Sequence, residues 1–122
     1  MLINETVVEI AAATAADAEL GAVALIPANT ALRIHAIRHY QEVDGSAGST
    51  AVIYTDDGTT ETVVATLALD QGAGLFTFAN TDGSKITNVL PSSNPRALKV
   101  KVGASDPNQI VSISILTQPQ VQ

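Results

Sequence analysis

The chain has no cysteine and no tryptophan. Disulfides and thiolate metal sites are therefore excluded, and the redox compartment stays open. Aromatic residues make up 3% of 122 residues, so Val, Ile, Leu and Ala must build the core. Basic residues are also few: six Lys and Arg against twelve Asp and Glu give a net charge of −6. That balance keeps a protein soluble and repels phosphate backbones, which argues against general nucleic-acid binding. No apolar run approaches the ~20 residues that span a bilayer. Met1-Leu2-Ile3-Asn4-Glu5 carries no early basic residue and no continuous apolar block, so neither a membrane anchor nor a secretory signal is expected.

What is present is short alternating runs punctuated by turn residues. At 46% hydrophobic and this length, residues 1–122 are expected to form one domain with a real core. The longest run is Thr30–Tyr40, where Leu32, Ile34 and Ala36 alternate with Arg33 and His35. Ile37 breaks the phase, and a β-bulge near Ala36–Ile37 would re-aim it inward. Further strands are expected at Glu5–Ala13, Ala22–Ile26, Thr50–Thr55, Thr60–Leu69, Leu75–Ala79, Lys85–Leu90, Arg96–Val102 and Ile110–Thr117. Ala11–Leu20 reads as a short helix or ordered loop, because its alanines favour helix but only Leu20 anchors it. Pro27-Ala28-Asn29 is a turn, since Pro presets φ and Asn tolerates the left-handed region. Asp57-Gly58 and Asp82-Gly83 sit between strand-like runs and predict two tight hairpins. Eight or nine short strands at even spacing predict an all-β fold: a single antiparallel β-sandwich, jelly-roll-like, with a closed barrel as the alternative. Val63, Leu67, Val100, Ile113 and Ile115 are the expected core. Gln118–Gln122 reads as a polar tail. Residues 1–13 read either as an ordinary first strand or as an arm that pairs with a neighbouring subunit, being too apolar to hang free.

Chemistry is sparse. On a strand His35 and His39 stand about 13 Å apart, too far to hold one ion. The two Asp-Gly turns lack the spacing of a calcium loop and are explained by their need for positive φ. No G-x-S-x-G occurs, and no carboxylate pair is set in apolar surroundings. Gly72-Ala73-Gly74 is a lone two-glycine turn rather than a phosphate loop. No enzyme, cofactor or metal is expected. The informative feature is basic: Arg33 and His35 share one strand face, and Lys99 and Lys101 share another. Either these are solvated outer faces or they contact an acidic partner surface, with Arg suited to bidentate carboxylate recognition.

Ile26-Pro27-Ala28-Asn29-Thr30, followed by Leu32-Arg33-Ile34-His35-Ala36-Ile37, resembles small β-sandwich virion proteins of tailed bacteriophages. The likeness extends to the Ala/Thr/Val-rich composition, the lack of cysteine, the two Asp-Gly turns and the polar tail. It implies a capsid decoration or cement protein, made in the host cytoplasm and carried in the virion. Such a protein binds the major capsid protein or another virion protein, forms homo-oligomers, and has no catalytic residues to carry over. The alternative is a carbohydrate-binding or adhesin-like module, which uses similar Pro-Ala-Asn turns but needs exposed aromatic platforms. Only Tyr40, Tyr54, Phe76 and Phe78 could supply them here.

Overall fold

Strands with one apolar face must bury it, and two sheets packed face to face bury both sets at once. The computed structural model describes residues 4–10, 18–42, 50–69, 73–79, 86–87, 89–104 and 111–121. Among them are eight strands and no helix: β1 (Asn4–Ile10), β2 (Ala18–Ile26), β3 (Thr30–Gln41), β4 (Thr50–Asp56), β5 (Glu61–Ala68), β6 (Gly74–Ala79), β7 (Arg96–Ala104) and β8 (Val111–Val121). Sheet I has the order β1-β8-β3-β6 and sheet II the order β2-β7-β4-β5. The pairs β1·β8, β2·β7, β3·β6 and β4·β5 are all antiparallel. First strand with last, second with last but one, and so inward: this nested ribbon rolled into two sheets is the jelly roll.

The core is one aliphatic cluster between the sheets. Ile34, Ile37, Ile113 and Ile115 from sheet I and Ile53 and Val100 from sheet II are wholly buried within it. Leu67 is buried as expected. Val63 is not. It is 56% exposed, while Val64 is 5% exposed. Ile53 pairs with Ala65 and Tyr54 with Val63, so Val64 is an extra residue that the strand turns inward.

A second irregularity lies in β3. Ile34 pairs with Thr117 and Ala36 with Leu116, leaving His35 as the bulged residue. Ile37 is thereby re-aimed into the core, as its phase required. Everything two and four residues further on follows it, so His39 and Gln41 are buried as well. His39 is therefore not the surface or interface histidine that simple alternation suggests.

Three other segments depart from the sequence reading. Ala18–Leu20 begin β2 instead of ending a helix or loop, while residues 11–17 lie outside the described residues. Gln118–Val121 is no solvated tail but the end of β8, paired with Thr30–Arg33 of β3. Pro119 is tolerated there because it lies opposite Leu32, whose backbone N–H and C=O both bond Val89 instead. Around residues 86–90 the described residues show a single bridge in place of a strand. Val89 joins Leu32 of sheet I, and Thr87 N–H donates to the Val64 carbonyl of sheet II. The Asn80–Ser84 turn lies outside the described residues.

The turns at one end are held by their own polar groups. Asn29 takes φ +58° and donates its N–H to the Ser92 carbonyl. Between β4 and β5, Asp56 accepts from Gly58 N–H, and Asp57 accepts from the N–H groups of Thr59 and Thr60. Gly58 has φ +93°, which the predicted Asp-Gly turn demands.

Candidate functional site

The four basic candidates fall on opposite sides of the sandwich. Lys99 and Lys101 project from β7 on the outer face of sheet II; Arg33 and His35 belong to β3 in sheet I. They form no single patch.

On sheet II the charges are consumed locally. Lys99 Nζ lies 2.9 Å from Glu19 Oε1 on β2 and 3.0 Å from Asp56 Oδ2 on β4. Lys101 Nζ lies 2.6 Å from Glu61 Oε1 on β5 and 4.4 Å above the Tyr54 ring. The two carboxylates hold the Lys99 ammonium well above its usual range. Lys99 in turn holds Glu19 below its range, while the Gly58 N–H and then Lys99 lower Asp56. Tyr54 is 1% exposed, and burial, followed by the nearby Glu19 charge, pushes its phenol up. The Lys101 ammonium thus caps a buried ring while both lysines bind acids. Two lysines meet three carboxylates, so among the described residues this face presents no free positive charge.

Sheet I is different. The register sets Val7, Ser114, Arg38 and Thr77 in one row across its four strands, with Glu9, Ser112, Tyr40 and Leu75 in the next. Arg33 and Arg38 are exposed, and among the described residues neither has an ion-pair partner. Val7, Tyr40 and Leu75 are 60%, 49% and 65% exposed. His35 is half-buried on the bulge, and its Nε2 donates to Gln118 Oε1 at 2.6 Å, fixing the ring beside Arg33. The surface therefore carries two exposed guanidiniums without an ion-pair partner among the described residues, Arg33 beside Gln118 and Arg38 beside Ser114, with Val7, Tyr40 and Leu75 exposed on the same face.

The sequence reading counted Tyr40 among the possible exposed aromatics but did not place Arg38 on the face of Arg33, although the signal existed. Strict alternation sends Arg33 and Arg38 to opposite faces. The bulge that rescues Ile37 also returns Arg38 to the side of Arg33.

The other histidine is structural. His39 stacks on Phe76 at 5.0 Å between ring centroids, and its Nε2 donates to Gln41 Oε1. Gln41 then donates to the Leu69 carbonyl. Burial pushes the imidazole below its ordinary range, so it is held neutral. No group of three or more His, Asp or Glu able to hold a metal occurs among the described residues.

A groove of about 280 Å³ runs between β5 and residues 87–92. Thr55, Thr62, Thr87 and Ser92 line it beside Leu90, with no aromatic ring among its walls. Arg96 at its floor is committed to the fold, donating to the carbonyls of Leu90 and Thr30.

No protein-family model matches the chain, and no curated protein does. Among solved structures, a chain from the capsid of Ralstonia phage GP4 has a similar fold, at 13% identity and a TM-score of 0.50. The match covers 94% of this chain and 83% of that one. At that identity the likeness is one of fold.

Proposed function

We propose that this chain is a non-enzymatic structural protein of a phage virion, of the decoration or cement type. It docks on an assembled shell through the outer face of sheet I. The observation that carries the reading is the pair of exposed, uncommitted arginines on that face of an acidic chain. Every described cation elsewhere is bound within the molecule. The likeness to a phage capsid chain over nearly the whole length supports the virion setting. The partner is an acidic patch on the major capsid protein or another virion protein, with Arg33 and Arg38 as the anchors and Tyr40 packing between the surfaces. Lys99 and Lys101 have no part in it.

The test is co-sedimentation with shells of the encoding phage assembled without this chain. A charge-assisted hydrogen bond contributes about 1.5–3 kcal/mol, so losing one weakens binding roughly tenfold or more. Arg33→Glu with Arg38→Glu should abolish co-sedimentation and leave the thermal midpoint unchanged. Equal binding by the double variant and the native chain across a salt series would remove sheet I from the interface.

A further inference from the structure

We infer that β1 is exchangeable between copies of this chain, the β8 of one copy accepting the β1 of a second. This goes beyond docking on a shell, because it concerns how copies join each other.

The first ground is position. β1 is the edge of sheet I and pairs with β8 alone. The second is what β1 gives to the core. Of its described side chains, Glu5 and Val7 are exposed and only Val8 is half-buried against the cluster. Among the described side chains, leaving its own sheet therefore uncovers only Val8. The ladder from Asn4↔Thr117 to Ile10↔Val111 reforms unchanged on an identical β8. Intramolecular and exchanged arrangements then have nearly the same main-chain bonds and the same contacts, and chain concentration decides between them.

The third ground is reach. Packed sheets lie ~10 Å apart, which three or four extended residues cross. Between Ile10 at the end of β1 and Ala18 at the start of β2 stand Ala11-Ala12-Ala13-Thr14-Ala15-Ala16-Asp17. Extended, that connection reaches roughly 25 Å. That span exceeds the separation of packed sheets, and the seven residues include no large apolar one. A reciprocal exchange closes into a two-fold dimer and leaves no unpaired β8.

The native chain has no cysteine, so introduced thiols report cleanly. Val7 and Ser114 face each other on the outer side of sheet I, away from the core. Chains carrying Val7→Cys and differently tagged chains carrying Ser114→Cys are mixed in denaturant, refolded together at high concentration and oxidised. The expected result is a mixed disulfide-linked dimer joining position 7 of one chain to position 114 of the other. A partner carrying Ser112→Cys, one step out of register, should give much less. A chain with both Val7→Cys and Ser114→Cys reports that the ladder has formed at all. If that double variant closes its disulfide within one chain while the mixed single variants give no linked dimer, exchange is wrong. The readout does not involve Arg33, Arg38 or a shell, so its failure leaves the docking test standing.

Discussion

The two outer faces of the sandwich carry similar residues and use them differently. On sheet II each lysine has an acid supplied by another strand of the sheet, and the Lys101 ammonium lies over a buried tyrosine. On sheet I Arg38 projects beside Ser114 and Thr77 and Arg33 beside Gln118, and among the described residues neither forms an ion pair. A basic residue on a strand is thus uninformative until its cross-strand neighbours are known. Charge that is satisfied inside the molecule belongs to the fold, and charge left over is what a partner can use.

The contrast assumes that both faces stand on one core, and the largest expected effect tests that. Ile113 in sheet I and Ile53 in sheet II have no exposed surface. Replacing either with Ala should cost about 2–5 kcal/mol, read from urea unfolding as one cooperative transition in both variants. Two transitions would mean that the sheets are independent layers.

Acid should separate the sheets by pH. His39, under sheet I, has a folded pKa below its ordinary 6.5, so the unfolded chain binds the extra proton. Stability is then lost as pH falls from 6.5 towards the folded value. Glu19 and Asp56 on sheet II have folded pKa values below their ordinary 4.5 and 3.8. Their contribution is present above those values and disappears only as pH falls through the lower folded ones. The urea midpoint of His39→Gln should be flatter than the native midpoint just below pH 6.5, and the two should fall together in stronger acid. Identical profiles throughout would place the early loss elsewhere.

A smaller effect is expected at Lys99. Lys99→Met keeps an unbranched apolar side chain at the position paired with Tyr54 and strands two carboxylates beside each other. The thermal midpoint should fall by less than for Ile113→Ala, and shell binding should be unchanged. Reduced binding with an unchanged midpoint would reverse the roles given to the two faces. Smallest of all, Val63→Thr on the exposed side of the β5 bulge should stay within about 0.5 kcal/mol by urea unfolding. A core-sized loss would restore Val63 to the interior.

Much of this architecture was legible in the chain. Alternation located the strands of Thr30–Tyr40, Arg96–Val102 and Ile110–Thr117, and Asp57-Gly58 located the hairpin between β4 and β5. What alternation carries badly is a change of phase. The bulge in β3 was visible in Ile37, but its effect on Arg38, His39, Tyr40 and Gln41 required the shift to be carried to the end of the strand. At Val63-Val64 alternation back from Leu67 pointed Val63 inward, and nothing in two adjacent valines announced the extra residue that turns Val64 in instead. Gln118-Pro119-Gln120 looked unfit for a strand until Val89 was seen to take the bonds of Leu32. The division between committed and uncommitted cations was hidden for a similar reason. Glu19, Asp56 and Glu61 come from three strands distant in sequence from Lys99 and Lys101, and only the register brings them together.

The nested pairing also sets the order in which the chain can close on itself. The β4·β5 ladder joins Asp56 to Glu61 across a tight turn, whereas β3·β6 must bring Gln41 to Gly74, β2·β7 Ile26 to Arg96, and β1·β8 Ile10 to Val111. Loop-closure entropy grows with each enclosing layer, and sheets dominated by such distant pairings fold in milliseconds to seconds. The hairpin is the natural nucleus, and β1 is the last strand to be laid down. During that final interval β8 is a finished template with one side open, and every nascent chain nearby carries the strand that fits it.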